Sequence, residues 1–343
     1  MKAIRIYVLS VGLVLCGLCG RAQDHMYSQF FNSPIYLNPA LTGQFEGDFR
    51  MNMAYRNQWS SVPGSLSYIT GSADWNIPRF GGGVGLMFTR SNEGTAYYVR
   101  NNFAGTYSYS VGSDDFVLSF GLQAGIGNRT IDKNKLVFGD QIDPQLGYVP
   151  GSQSAADLSQ FGNKYYFDAG AGVNLVVGNF MAGSALQHIN GPDQSFTGSP
   201  AKLPMRATAH LSYRLDLNPY DNIDESEKSF VIPSVVYYKQ ASSSSMSVGM
   251  QYKRRSVNAG VWYRSGSTTG PSAFVVSFIF DIFINRDGGE KLRFGISHDA
   301  PSSKLNYGNT SGTTEGTLGY ETTFPSRDAY HKFEGSRRCY DFY

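Results

Sequence analysis

The stretch "MRATAHLSYRLDL", residues 205 to 217, alternates between apolar and polar side chains without a break. One set of alternate positions is apolar: Met205, Ala207, Ala209, Leu211, Tyr213, Leu215 and Leu217. The other set carries Arg206, Thr208, His210, Ser212, Arg214 and Asp216. Successive side chains of a β-strand point to opposite faces, so this period of two predicts a strand with one apolar and one polar face. Its length exceeds that of soluble strands, which usually have about five or six residues.

The same alternation recurs along the chain and predicts an all-β fold. We expect fourteen strands, near 49–59, 65–77, 81–90, 97–111, 115–131, 165–178, 180–190, 205–217, 230–239, 245–254, 256–265, 272–284, 291–300 and 313–324. A tilted crossing of a bilayer needs about 9–11 residues, which most of these strands supply. The 39 Gly, 23 Tyr and 23 Phe, with only 16% charged residues, also suit strands in lipid. We therefore predict a transmembrane antiparallel outer-membrane β-barrel of about 14 strands.

The connections between the predicted strands test this interpretation independently. If the mature N-terminus is periplasmic, even-numbered strands run toward the periplasm and should end in short turns. The joins "PRF", "GSD", "GN" and "RS" after the second, fourth, sixth and tenth strands are short, whereas about thirty residues (132–163) follow the fifth strand. The acidic join 218–229 is a long exception that this topology places in the periplasm.

The two ends of the chain fall outside the predicted barrel (49–324). Residues 1–22 are typical of a secretory signal, with Lys2 and Arg5 before an apolar core and cleavage expected after Ala22. Cys16 and Cys19 follow leucines rather than small residues, which disfavours a lipoprotein signal. We assign 23–48 to an irregular N-terminal periplasmic or plug segment and 325–343 to a C-terminal periplasmic tail.

Removal of the signal changes the charge and the cysteine count of the chain. Three positive charges are lost, so the net charge falls from +2 to about −1, which argues against a nucleic-acid partner. Cys339 then remains as the single cysteine, so no intramolecular disulfide is expected. No later stretch approaches 18 consecutive apolar residues, and we predict no transmembrane helix.

Candidate chemical motifs are weak throughout the chain. The glycine runs at 81–85 and 121–127 precede no helix, so they favour bends and close packing over phosphate binding. The histidines show no metal-ligand spacing: His25, His188, His210, His298 and His331. No G-x-S-x-G elbow occurs, although a Ser-His pair on neighbouring strands would leave an outer-membrane hydrolase open. We predict no catalytic, cofactor-binding or metal-binding residue and no cofactor.

The polar strand faces are rich in arginine. They carry Arg50, Arg56, Arg100, Arg129, Arg206, Arg214, Arg264 and Arg293. We expect these side chains to line the lumen and to pair with acids such as Asp74 and Asp216. The alternative is a positively biased interior that accepts an anionic segment or solute.

The segment "YSQFFNSPIYLNPALTG" (27–43), followed by "AYRNQWSSV", resembles the N-terminal signature of the PorP/SprF family of type IX secretion and gliding-motility membrane proteins. The matching signature residues are Gln29, Phe30, Phe31, Asn38, Pro39, Ala40, Gly43, Tyr55, Arg56, Gln58 and Trp59. At the other end Arg337, Arg338, Cys339 and Phe342 are similar to the family's terminal R-C-P-x-F pattern, with Tyr340 in place of the proline. The resemblance covers essentially the whole mature chain.

The resemblance implies a non-enzymatic outer-membrane barrel of Bacteroidota-type bacteria, and it implies partners. These are the C-terminal signal domain of a secreted cargo or surface adhesin, and a periplasmic lipoprotein or peptidoglycan-binding component of the secretion machinery. Outer-membrane lipid is the third expected contact. The signature residues are candidates for docking or for sealing the barrel. An outer-membrane channel or transporter for small solutes or hydrophobic compounds is the alternative function.

Overall fold

The computed structural model describes residues 24–64, 66–94, 98–132, 135–156, 163–195, 200–219, 228–266, 272–285, 289–302, 306–324 and 339–342. The expected signal peptide and its cleavage site lie outside these residues, as do Arg337 and Arg338. None of the helices in the described ranges is long and apolar enough to cross a membrane.

Fourteen strands form the wall of the molecule, as the alternating patterns predicted. In chain order they are β1 (Phe49–Gln58), β2 (Leu66–Ile77), β3 (Gly82–Glu93), β4 (Tyr98–Gly112), β5 (Phe116–Thr130), β6 (Lys164–Val177), β7 (Phe180–Gln187), β8 (Arg206–Tyr213), β9 (Ser229–Gln240), β10 (Ser243–Arg254), β11 (Val257–Gly266), β12 (Ala273–Asn285), β13 (Glu290–Pro301) and β14 (Thr313–Thr322). The predicted eighth strand is the most altered: its ladder stops at Tyr213, and Leu215–Asp216 forms a separate two-residue strand.

Each strand pairs antiparallel with its neighbours in the chain, and the sheet closes on itself. Arg206 of β8 faces Gln240 of β9, and β1 pairs with β14 from Phe49 opposite Thr322 to Gln58 opposite Thr313. Among the described residues, closure leaves none of the fourteen wall strands at a sheet edge, so their backbone N–H and C=O groups pair mainly with neighbouring wall strands. The prediction of an antiparallel barrel of about 14 strands is confirmed.

The two faces of the wall differ as the sequence indicates. Large apolar side chains point outward and remain exposed on the isolated chain, among them Met53 at 49%, Leu122 at 64% and Phe274 at 58%. In β8, Arg206, Thr208, His210 and Ser212 point inward and are buried, whereas Leu211 and Tyr213 point outward. An apolar exterior around a polar interior is the arrangement that a bilayer requires.

The two ends of the barrel are unequal. We call the end at which β1 finishes the loop rim; it carries the joins 59–65, 131–163 and 188–205. The opposite end, the turn rim, carries the short joins 78–81, 113–115 and 178–179. Within the join 131–163, a short hairpin pairs Ile142–Asp143 with Gly147–Tyr148. The unequal ends agree with the loop-length asymmetry of outer-membrane barrels.

The interior of the barrel is filled by the segment that precedes β1. Residues 27–45 are buried throughout, although they form only short turns. At one end Asp24 bonds Gln240 and Arg100 at the loop rim, and at the other Asp48 bonds the backbone of Thr322 at the turn rim. We call residues 24–48 the lumen segment, because it crosses the lumen from one rim to the other.

The last described residues also enter the lumen. The 3₁₀ turn Cys339–Phe342 buries Cys339 and Phe342, which are 1% and 0% exposed. Our expectation of a wholly periplasmic tail therefore does not hold for these four residues. Burial of these two side chains in an apolar cluster of the lumen removes their apolar surface from water, which favours the turn inside the barrel.

Candidate functional site

Three short turns give the lumen segment its irregular path. They are Phe30–Asn32, Pro34–Leu37 and Pro39–Leu41. Each proline opens a turn, a position where its missing N–H would have no helical partner and its fixed φ is already suitable. Asn38 stabilises the third turn, because its side-chain oxygen accepts a hydrogen bond from the N–H of Ala40 at 2.9 Å.

The N-P-A-x-x-G part of the signature fits closely against the barrel wall. The Asn38 amide donates to the Val173 carbonyl at 3.0 Å, which ties this turn to β6. Gly43 has a φ of 67° and lies against the backbone of Gly83 in β3, so a side chain there would be strained and would collide with the wall. Its N–H donates to Asp74 at 2.7 Å. The signature residues Asn38 and Gly43 thus have specific backbone roles.

A buried charge cluster holds the upper part of the lumen segment. Arg56 of β1 contacts Asp299 of β13 at 3.1 Å and Glu315 of β14 at 3.2 Å. Arg264 of β11 contacts the same Asp299 oxygen at 2.8 Å. Ser28 lies between them: its hydroxyl donates to Asp299 and accepts from both guanidiniums. Two positive and two negative charges balance, as charges removed from water must.

The backbone of the lumen segment completes this cluster, which we call the Ser28 cluster (Ser28, Gln29, Arg56, Arg264, Asp299 and Glu315). The N–H groups of Ser28 and Gln29 each donate to the Glu315 carboxylate at 2.8 Å. The Gln29 side-chain oxygen accepts from Asn32 and Thr317. The two halves of the family signature, Gln29 and Arg56, therefore meet at one carboxylate that the sequence analysis did not identify.

A second charged cluster lies above it at the loop rim. The Asp24 carboxylate accepts from Arg100 at 3.0 Å, from Gln240 at 2.9 Å and from His188 at 2.7 Å. The other ring nitrogen of His188 lies 2.8 Å from Asp168. Arg100 also contacts Glu93 at 3.0 Å. We call Asp24, Glu93, Arg100, Asp168, His188 and Gln240 the Asp24 cluster.

The protonation states of this cluster follow from its contacts. Burial disfavours a charge on Asp24, but His188, Arg100 and Arg206 outweigh it and hold the pKa of the carboxyl well below its usual value. Burial also disfavours the imidazolium, yet Asp24 and Asp168 raise the pKa of His188 to about 9. Both ring nitrogens face carboxylates, so His188 is a cation that joins the lumen segment to the wall.

One side of the lumen is apolar, whereas barrel interiors are usually polar. Side chains of the lumen segment pack there with residues of β6, β7, β9, β11 and β12 and with the C-terminal turn. Phe30 contacts Trp262 edge-on, with ring centroids 5.0 Å apart. The lumen-segment and C-terminal members of this apolar cluster are Phe30, Phe31, Leu37, Leu41, Cys339 and Phe342. The segment is thus held by charged contacts near both rims and by apolar packing against one side of the wall.

Some predicted site residues lie apart from the lumen contacts. Tyr55 points outward and is 44% exposed. Gln58 ends β1 at the loop rim, and Trp59 follows it with a φ of 59°. Pro39 and Ala40, by contrast, are buried against β5. Cys339 and Phe342 are buried, so they are not available for docking in this conformation.

The expected pairing of lumen arginines with acids holds for Asp74. Arg50 pairs with it at 2.7 Å, as the polar strand faces predicted. Asp216 instead contacts Lys228, a residue outside the predicted arginine set, at 3.7 Å. The sequence analysis missed Ser28, Asp24 and Glu315. For Glu315 the sequence did contain a signal, since strand alternation places this acid on the polar face of β14.

In the described ranges no cluster of three or more His, Cys, Asp or Glu has the geometry to hold a metal.

The model of one protein family matches residues 20–320 of the chain. Its description is "Type IX secretion system membrane protein PorP/SprF". The match includes both halves of the N-terminal signature and thirteen complete strands. The chain belongs to the PorP/SprF family. No curated protein sequence matches it.

Solved structures similar to this PorP/SprF-family barrel are outer-membrane barrels at low identity. The Pseudomonas putida toluene transporter TodX matches with 9% identity over 89% of this chain and 96% of its own, at a TM-score of 0.48. Acinetobacter baumannii Omp33 matches with 10% identity over 82% and 100%, at 0.39. BamA from Haemophilus ducreyi matches with 8% identity over 80% and 70%, at 0.37. These similarities concern architecture and carry no argument about substrates. The barrel fold and the family together place the chain in the outer membrane.

Proposed function

We propose that this PorP/SprF-family chain is a non-enzymatic docking barrel of the type IX secretion and gliding-motility apparatus. It helps to export or anchor a surface adhesin or other cargo through the C-terminal signal domain of that cargo. It also docks to a periplasmic lipoprotein or peptidoglycan-binding component. The family match supports the secretion role, and the buried lumen segment supports docking over transport.

The observation that carries the proposal is the burial of residues 27–45 inside the barrel. A solute channel needs a continuous water-filled path, whereas here turns, ion pairs and aromatic rings occupy the lumen. In this conformation the signature residues of the lumen segment occupy the lumen, and the two rims are the surfaces that partners can reach.

The loop rim offers a suitable surface for the cargo. The hairpin in the join 131–163 exposes Ile142 at 50%, Leu146 at 82% and Tyr148 at 50%. The Asp143 carboxylate accepts hydrogen bonds from the N–H groups of Gln145 and Leu146, which shapes the tip of the hairpin. The apolar side chains of the hairpin remain exposed to water. Apolar side chains held away from both lumen and wall are typical of protein contact sites.

Capture of partners by the purified barrel tests the docking function. Immobilised protein should retain a cargo C-terminal signal domain, and Leu146→Ser should weaken that retention. Phe80→Ser is the matched control, because Phe80 is 66% exposed at the opposite rim. Failure to retain either the cargo domain or a ring lipoprotein would contradict the proposal.

Conductance in planar bilayers separates docking from transport. The docking function predicts a closed barrel in the absence of cargo. Steady single-channel currents from the wild-type protein would instead support the solute channel.

A further inference from the structure

The Asp24 cluster borders a small cavity with unused hydrogen-bonding capacity. The cavity has a volume of about 50 Å³ and is lined by Asp24, Arg100, His188, Arg206, Asn102 and Gln123, among others. Four buried side-chain atoms around it lack a partner among the described residues: His25 Nε2, Arg206 Nε, Asn102 Oδ1 and Gln123 Oε1. Unsatisfied buried polar atoms are costly, so this arrangement indicates a bound polar group.

The charges around the cavity show which group it fits. Arg100, Arg206 and His188 are the cations, and Asp24, Asp168 and Glu93 are the anions. With Asp24 in place the set is neutral, and without it the set has one net positive charge. A single carboxylate would restore the balance. The unpaired amide oxygens of Asn102 and Gln123 would accept an N–H group beside that carboxylate.

Asp24 lies at the partly exposed loop-rim end of the lumen segment. Residues 24–26 are only partly buried, whereas 27–45 are fully buried. The Asp24 side chain keeps 13% exposure and His188 keeps 11%, so the cluster reaches solvent at the loop rim. The wall residues that contact Asp24 differ from those that contact Ser28, so a competing ligand at the loop rim would meet Asp24 first.

We propose that the loop rim contains a binding site for the free carboxyl terminus of a polypeptide, which Asp24 fills from within the chain. The incoming carboxylate takes the bonds from Arg100, His188 and Gln240. The adjacent backbone N–H donates to Asn102 or Gln123. This site deepens the proposed function, on which the polypeptide nature of the ligand rests, by giving a docking partner a specific anchor.

Binding of small probes to the purified Asp24→Ala barrel tests the site. Acetate should bind saturably and at least about tenfold more tightly than acetamide, because charge-assisted hydrogen bonds contribute about that factor. N-acetyl-trialanine, which has a free carboxylate, should bind more tightly than its C-terminal amide by a similar factor. Adding Arg100→Gln should abolish both preferences. Asp140→Ala, in an exposed loop, is the control and should bind acetate no better than the wild type.

Equal binding of acid and amide probes would overturn the proposal and leave the cavity to water. If Asp24→Ala does not fold, the same titration on Asp24→Asn still tests the proposal. The asparagine keeps the shape of the aspartate but has no charge, so it competes less strongly for the site. The Asp24→Asn barrel should bind the free-acid peptide more tightly than the wild-type barrel does. If the barrel binds carboxylates but does not capture cargo, only the docking function is contradicted. If it captures cargo but does not bind carboxylates, only this site is contradicted.

Discussion

At the residue scale, the signature arginine joins the wall to its contents. Arg56 is 4% exposed and contacts Ser28, Asp299 and Glu315, so it links β1, β13, β14 and the lumen segment. Removing one member of a buried ion pair leaves charge without compensation, which is worse than removing the whole set.

Arg56→Ala should therefore destabilise the barrel by about 3–5 kcal/mol. Urea unfolding in lipid vesicles, followed by tryptophan fluorescence, measures the change. Arg79→Ala is the control: Arg79 is exposed at the turn rim, and its loss should cost less than about 0.5 kcal/mol. An unchanged urea midpoint for Arg56→Ala would show that the cluster contributes nothing to stability.

His188 gives the barrel a predictable loss of stability at alkaline pH. Asp24, Asp168 and, through Asp24, Arg100 surround this side chain. Its folded-state pKa of about 9 lies above its ordinary 6.5. Its stabilisation is thus complete below pH 6.5 and disappears as the pH rises through about 9. The depressed pKa of Asp24 acts in the opposite direction and costs stability only in acid, below its ordinary 3.8.

The thermal midpoint should fall between about pH 6 and about pH 10 by more in the wild type than in His188→Asn. Asparagine accepts the positive φ of 58° at this position and does not titrate, so it isolates the histidine from other groups. Parallel pH curves for the two proteins would argue against a charged His188.

At the element scale, the wall is shaped to receive the turns of the lumen segment. Gly121 of β5 faces inward, and a Cβ there would meet the backbone of Pro39 and Ala40. Backbone cannot yield as a flexible side-chain end can, so the missing side chain is a requirement of the fit. The glycine run at 121–127 thus permits close packing, as we predicted.

Gly121→Ala should displace the turn Pro39–Leu41 while leaving the barrel wall formed. We expect faster amide exchange across residues 34–45, measured by hydrogen–deuterium exchange. Gly71→Ala is a matched control, because a Cβ on Gly71 in β2 meets nothing within 4 Å. Identical exchange in both variants would contradict the proposed fit.

At the scale of the whole molecule, two segments distant in sequence, residues 24–48 and 339–342, help to fill one lumen. The lumen segment precedes β1, and the turn Cys339–Phe342 packs in the same apolar cluster as its side chains. Phe342 is fully buried, and its backbone carbonyl accepts from Gln251 at 2.8 Å. The C-terminal turn therefore depends on the same apolar cluster that holds Phe30 and Leu41.

Phe342→Ala should release this turn and expose the thiol of Cys339. Labelling by a maleimide in detergent should be slow in the wild type, where Cys339 is 1% exposed, and many times faster in the variant. Phe324→Ala is the control, since Phe324 is 47% exposed and lies outside the turn. Equally fast labelling of the wild type would show that the turn does not stay in the lumen.

The sequence by itself determined the wall. Alternation in "MRATAHLSYRLDL" and the other strands predicts which side chains face lipid, because the period of two is a local property of the backbone. The lengths of the joins also predict which end of the barrel carries the long loops. The sequence also identified the signature residues individually, but its local patterns do not show which residues they contact in the folded barrel.

Only the tertiary structure decided the contents of the barrel. Ser28 and Glu315 are 287 residues apart, and no local pattern encodes a contact over that distance. Asp24, His188 and Asp168 meet because the lumen segment crosses from rim to rim, a path that its prolines and short turns do not specify alone. Local sequence patterns determine strands and turns, whereas closure of the wall brings charges that are distant in sequence together in the buried interior of the barrel.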